Sequence, residues 1–262
     1  MTFSPVPVMT FPLFSDCPNL VHAVFTRLGG VSRPPFDSLN VGFSVGDDTA
    51  AVTENRKRAL SCLGLDRAVF LNQVHGSRIL TLDRRGPTDS NLFWEPGRPG
   101  SGTLLTADAV VTNLTQAALV IQVADCQAVM LADPEKKVIA NVHSGWRGSV
   151  ENIVGQSVDV MIHRFGCDPR QILAGISPSL GPCCAQFIHY KEEIPEPLWR
   201  YKLPDRDHFD FWRLSVDQLL EKGLDPHHIS NMTECTRCRP DLFFSYRQAR
   251  QTGRFAGVIG LT

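Results

Sequence analysis

Three residues with metal-binding or nucleophilic chemistry punctuate the most regular part of this sequence. They are His75 in NQVHG, Cys126 in VADC and His143 in HSGWRG. Each stands where a β-type run stops, and a core strand gains nothing from ending in such a group. A thiolate and two imidazoles suit a borderline-soft cation such as zinc, which takes sulfur and nitrogen ligands tetrahedrally. Three protein ligands leave the fourth position for water or substrate, the mark of a catalytic rather than a closed site. The same residues allow a metal-free reading, with Cys126 as nucleophile and His143 as its base. The bland alternative is a buried core cysteine. Spacing does not decide among them, because the intervals 75 to 126 and 126 to 143 match no short metal motif.

HSGWRGS adds an anion-binding pattern: two glycines, Arg147, and a helix start at Ser149. Unpaired N–H groups at a helix start attract anions, and arginine can hold phosphate bidentately. Cys235 and Cys238 form one C-x-x-C, and Cys183 and Cys184 are adjacent. A structural four-thiolate zinc site is conceivable there, but adjacent cysteines are not the second C-x-x-C that such sites use, so the pattern argues against it. His163, His227 and His228 read as surface residues, and Asp47-Asp48 as a solvated turn. GRPGSG lacks the Lys-Ser/Thr ending of a nucleotide-binding P-loop.

The elements that must position these groups alternate between β and α periods. Strands are expected at 21–27, on both sides of Gln73–Gly76, in ADAVVTN and AALVIQV, in the hairpin AVMLAD/KVIANV, at 171–176, and in RFAGVIGL. Helices are expected at about 49–63, with Thr49 as N-cap and Gly64 as stop, and at 211–223. Val150, Ile153, Val154, Val158, Met161, Ile162 and Phe165 recur at helical spacing, with Ser149 as cap and Gly166 as stop. Residues 86–102 read as a long loop rich in glycine and proline. Without a linker between these elements, 1–262 reads as one α/β domain.

Composition narrows the function. The chain has 262 residues, 43% hydrophobic and 20% charged, with formal net charge −1. That balance offers no general attraction to nucleic acid or anionic membrane, so any bound anion needs a local arrangement. No apolar run reaches the roughly 18–20 residues that span a bilayer. The prolines and missing basic region of MTFSPVPVMTFPLF do not read as a signal peptide. Eight scattered cysteines in such a chain fit a reducing cytoplasm better than a disulfide framework.

FTRLGGVS, LNVGFSVGDD, ENR, NQVHG, ADAVVTN, VADC, HSGWRG, GPCC and FFSYR…TGR follow one another along nearly the whole chain. Together they resemble the multicopper polyphenol oxidase (laccase-like) domain family, also described as purine nucleoside phosphorylases and peptidoglycan editing factors. The resemblance implies a metal, usually zinc, on His75, Cys126 and His143, with copper the lesser alternative. It implies a layered α/β/β/α fold related to cytotoxic-necrotizing-factor-like cysteine hydrolases. The implied activity is phosphorolysis of adenosine, inosine, guanosine and methylthioadenosine, with some adenosine deamination. On this reading the partners are a purine nucleoside and phosphate, with no nucleic acid or membrane, in a monomer or small homo-oligomer. Cys126 and Arg147 are the expected catalytic residues; Arg27, Asn40, Gln73 and Arg247 are the expected substrate contacts. The alternatives are a cysteine hydrolase or amidase in peptidoglycan precursor editing, and a polyphenol oxidase. The oxidase reading is the weaker, since one His₂Cys set cannot store four electrons and none of the eight histidines forms a His-x-His pair. Two departures from the family pattern stand near the site. Ala128 replaces a usual proline, and Ser177 replaces a common glycine.

Overall fold

The computed structural model describes residues 6–83, 92–96, 102 and 104–262. Most of the loop expected at 86–102 lies outside these residues. Twelve strands among them form two sheets. In chain order they are β1 (Val8–Met9), β2 (Leu20–Phe25), β3 (Ala68–Asn72), β4 (Ile79–Leu82), β5 (Leu105–Thr106) and β6 (Ala109–Thr112). They continue with β7 (Ala117–Val123), β8 (Gln127–Asp133), β9 (Val138–Ser144), β10 (Leu173–Ile176), β11 (Ile229–Asn231) and β12 (Phe255–Leu261). The first sheet runs β1-β2-β12-β7-β3-β5 and the second β11-β10-β8-β9-β6-β4. Both mix parallel and antiparallel pairs.

The apolar runs that gave no simple in/out alternation are buried on both faces. Along β7, Leu119, Ile121 and Val123 enter one core cluster, and Ala118 and Val120 another. Along β8, Ala128, Met130 and Ala132 share the first cluster, whereas Val129 and Leu131 join a third. The first cluster therefore fills the space between the sheets, and the others lie under helices. Each fully buried Leu, Ile or Val contributes roughly 1.5–3 kcal/mol through lost apolar hydration. At Gly257 a Cβ would stand 2.6 Å from that of Ala128, so glycine lets the sheets approach. Asn141 crosses the gap, its Nδ2 donating to the carbonyls of Leu119 and Gly257 at 2.8 and 2.9 Å.

The helices are α1 (Thr49–Cys62), α2 (Trp146–Val150), α3 (Ile153–Phe165), α4 (Tyr190–Glu193) and α5 (Phe211–Glu221). Helix α1 packs Ala59 and Leu60 on the first sheet; α3 and α5 pack Val154, Val158, Met161 and Leu219 on the second. The layers run α/β/β/α. Two caps differ from expectation. Asp48, not Thr49, caps α1, its carboxylate accepting from the N–H of Ala50 at 3.1 Å. The helix expected from Ser149 is broken, because Asn152 takes a left-handed conformation (φ 57°). Its side chain accepts from the N–H of Gly155 and starts α3 afresh. No helix among the described residues is long and apolar enough to cross a membrane.

Candidate functional site

Strand parity answers why His143 and Cys126 end their runs. Side chains two apart share a face. His143 follows Ile139 and Asn141 on the face of β9 turned to the other sheet. Cys126 precedes Ala128 and Met130 on the corresponding face of β8, and it packs against the inter-sheet core. Ala128 pairs with His143 in the hairpin register, so the two rows end side by side. His75, in the turn between β3 and β4, closes the third side. The donor atoms of His75, Cys126 and His143 lie within 4.8 Å of one another.

A fourth residue, Asp108, holds this set from behind. It is fully buried, and its Oδ1 accepts from His143 Nδ1 at 2.8 Å and from the N–H of His75 at 2.9 Å. Its Oδ2 accepts from the N–H of Gly76 at 2.8 Å. Engaging Nδ1 leaves His143 Nε2 as the free ring nitrogen, the arrangement that orients metal-binding imidazoles. Burial pushes the Asp108 carboxyl up, but the His143 and backbone hydrogen bonds override it and hold the pKa below the usual value. Sequence reasoning passed over Asp108 inside ADAVVTN. Its signal was a lone carboxylate at the entry to a fully buried strand, a position that requires several donors.

Two turns present the ligands in backbone conformations that non-glycine residues seldom adopt. His75 has φ 61° and Asp125, next to Cys126, has φ 89°. Such conformations persist where surrounding bonds over-determine them. Asp125 Oδ1 accepts from Thr236 Oγ1 at 2.7 Å, Oδ2 from the N–H of Arg247 at 2.6 Å, and its carbonyl from the N–H of Leu180 at 2.8 Å. Gly145 completes the cradle. A Cβ there would stand 3.0 Å from His75 Cδ2 and 3.1 Å from Cys126 Sγ, so a side chain would crowd both donors.

The electrostatics suit an ionised sulfur. Burial alone would raise the Cys126 thiol, but the charge and hydrogen bond of His143, with His75 behind, bring it down to about 6. Burial would lower His143, yet the Cys126 thiolate and the Asp108 hydrogen bond raise it to about 9. Each group thus favours the charged form of the other. A soft or borderline cation meets three donors already gathered. The residues fit such an ion.

The cluster opens into a cavity of about 720 Å³, in the size range of small-molecule sites. Phe187, Phe211, Trp146 and Tyr246 line it with aromatic surface, and Arg56, Arg247 and Arg254 line it with positive charge. Of the expected substrate residues, Gln73 and Arg247 are in the lining. The Gln73 amide is committed to the backbone of Gln122, donating at 2.8 Å and accepting at 2.9 Å. The other expected groups are placed less directly. Arg147 is exposed and outside the lining, its guanidinium over the Trp146 ring, because α2 turns it away. Ser149 does line the cavity, but its Oγ bonds Ser144 Oγ and its N–H donates to the Gly145 carbonyl, so neither group is free for an anion. Arg27 is outside the lining, engaged with Asp37 and the Pro240 carbonyl.

Asn40 is fully buried outside the lining, and its Oδ1 accepts from the N–H groups of Gly42 and Arg254. It sets the start of β12, which Arg254 precedes, so its influence on the cavity is indirect. Arg56 and Arg254 were missed as individuals, although they lie in the ENR and TGR segments. Arg56 is 4% exposed, stacked on Phe70 at 3.6 Å, and burial lowers its pKa to about 9. The two departures from the family pattern meet each other: Ser177 Oγ accepts from the N–H of Ala128 at 2.9 Å. Proline at 128 would carry no such N–H, and glycine at 177 would offer no side-chain acceptor.

Comparisons with known proteins match this chain along nearly its whole length. It is 36% identical over 256 residues to a purine nucleoside phosphorylase of Streptomyces coelicolor, covering 94% of this chain and 98% of the relative. It is 33% identical over 252 residues to purine nucleoside phosphorylase YlmD of Geobacillus stearothermophilus, covering 92% and 89%. The crystal structure of YfiH from Bacillus licheniformis superposes with a TM-score of 0.85 at 29% identity, covering 99% of this chain and 97% of that one. Residues 21–262 match the family model described as multi-copper polyphenol oxidoreductase laccase, and it is to this family that the chain belongs.

Proposed function

We propose that this chain is a metal-dependent purine nucleoside phosphorylase, with adenosine deamination as a second outcome at the same site. The observation that carries the reading is a His₂Cys donor set opening onto a cavity that combines aromatic walls with three arginines. Aromatic rings accept a purine by stacking. Guanidinium groups hold phosphate. A bound zinc would supply Lewis acidity toward an oxygen and lower the pKa of a coordinated water.

The residues of this chain do the rest. Arg254 is kept close to the ligand cluster by its own N–H on Asn40 Oδ1 and by Nη1 on the carbonyls of Thr252 and Gly253. Arg247 is anchored through its N–H on Asp125 and Nη1 on the Gln186 carbonyl. Together with Arg56 they hold phosphate beside the anomeric carbon, where the new C–O bond forms as the glycosidic C–N bond breaks. Held charge of this kind lowers the barrier because no solvent must reorganise. Asp108 keeps His143 in one tautomer through the cycle. Names of relatives support the substrate class, since each of the two quoted above is called a purine nucleoside phosphorylase.

Phosphate-dependent release of free base and ribose 1-phosphate from adenosine or inosine is the direct assay. We expect turnover to disappear on exhaustive chelation and return with zinc, and Cys126→Ser to lose metal and turnover together. A metal-free cysteine hydrolase is the second reading, favoured by one observation: Cys126, His143 and Asp108 are aligned as nucleophile, base and orienting carboxylate. Full turnover in verified metal-free protein, with a substrate fragment trapped on Cys126, would establish that alternative instead.

A further inference from the structure

Outside the cavity, Cys183, Cys184, Cys235 and Cys238 gather into a second cluster, with all four sulfurs within 4.8 Å of one another. The sequence pattern argued against this, because an adjacent pair lacks the spacing of a second C-x-x-C. Two turns solve the problem. In the first, the N–H groups of Cys184 and Ala185 both donate to the Gly181 carbonyl, turning the chain so that both thiols face the same way. In the second, the N–H groups of Cys238 and Arg239 donate to the Cys235 carbonyl. A bridge between Ser179 and Cys235 holds the two turns together. Gly181 permits the approach, since a Cβ there would stand 3.1 Å from that of Cys235 and 2.7 Å from the Trp212 ring.

The distances discriminate among the explanations. Cys238 Sγ stands 3.7 Å from Cys183 Sγ and 3.6 Å from Cys184 Sγ. Four thiolates around zinc, with bonds of about 2.3 Å, must stand about 3.8 Å apart at the corners of the tetrahedron. A disulfide would bring two sulfurs to about 2.05 Å. Core packing does not account for the group either, because Cys183 and Cys238 are exposed. The N–H of Gly181 donates to Cys235 Sγ at 3.3 Å, a contact that favours a sulfur bearing negative charge.

We propose that Cys183, Cys184, Cys235 and Cys238 hold a second, structural zinc ion as a closed tetrathiolate site. Its position gives it a task. Leu180 and Thr236, one on each joined segment, both donate to Asp125, the left-handed residue beside Cys126. The zinc fastens the outer frame of that turn and meets no substrate. The proposal stands independently of the nucleoside chemistry.

The test uses the full chain, purified without a histidine tag under reducing conditions, with zinc as the probe. Elemental analysis and zinc-edge X-ray absorption are measured on the wild type and on Cys126→Ser/His143→Ala, which removes the other cluster. The variant should retain one zinc per chain with an all-sulfur shell at about 2.3 Å. Cys235→Ser/Cys238→Ser should lose that zinc. Should this variant not fold, native mass spectrometry of the wild type decides, showing a tightly held zinc that survives removal of the catalytic metal. Four freely titratable thiols, a disulfide mass, iron in place of zinc, or a zinc shell of mixed nitrogen and sulfur would each overturn the assignment.

Discussion

The two cysteine-bearing clusters differ in what stands behind their donors. Around Cys126, two imidazoles are locked by a buried carboxylate and a strained turn, and the set faces a large cavity. Around Cys235, four thiols come from two tight turns, and none of them lines that cavity. An incomplete donor set held rigidly at a cavity is arranged for chemistry. A complete set that joins two loops is arranged for stability. The contrast teaches that donor identity alone does not separate a reactive metal site from a structural one; the groups behind and in front of the donors do.

Asp108→Asn is the sharpest way to break that contrast by a single atom exchange. The amide keeps the shape but removes the charge that orients His143, so metal affinity or turnover should fall about 10–100-fold. Isothermal titration with zinc and the phosphorolysis assay measure it, and zinc at the four-cysteine cluster should be unchanged. Wild-type zinc affinity at the first site in the Asp108→Asn protein would remove Asp108 from its positioning role.

Ser177 lies on the chain between the clusters, just after β10, and tests whether the two departures from the family pattern compensate each other. Ser177→Ala leaves the buried N–H of Ala128 without its side-chain acceptor, at a cost of about 1–3 kcal/mol. Adding Ala128→Pro removes the donor itself, so the double variant should recover part of the loss in a denaturant-melting cycle. Strict additivity of the two changes would dissolve the proposed compensation.

The smallest effect is a control remote from both clusters. His22 Nε2 accepts from the N–H of Phe11 at 2.8 Å, between the rings of Phe11 and Phe14. Burial lowers its pKa from 6.5 to about 4. The unfolded chain therefore takes up this proton first. Its contribution is complete above about pH 6.5 and is lost as pH falls toward 4. His22→Gln keeps an acceptor without titrating, so the acid side of its stability profile should be flatter by thermal melting. An identical profile for both proteins would leave acid sensitivity to other groups, the clusters among them.

Much of the fold was legible because burial writes itself into periodicity. The hairpin β8–β9, the strand β12 and the helix α5 follow from apolar runs and turn residues. Boundaries were less legible where one side chain decides them, as at Asp48 and Asn152. The metal donors His75, Cys126 and His143 were legible as residue types at strand ends, reinforced by the order of motifs along the chain. Asp108 was hidden because a carboxylate at the entry to a buried strand announces nothing about which donors it will meet.

The sequence by itself determined which residues could bind or react, and which runs had to be buried. Strand period 2 then placed Cys126 and His143 on inward faces, whatever their separation in the chain. Tertiary structure alone decided which of the many arginines reach the cavity. Arg147 turns outward on a short helix, while Arg56 and Arg254 come in from segments far from the metal ligands. It alone brought Cys183 and Cys184 to Cys235 and Cys238. The physical reason is the same in both cases. Local preferences act over a few residues along the chain, whereas charge and coordination act through space across a few ångströms, and only the packed fold converts one into the other.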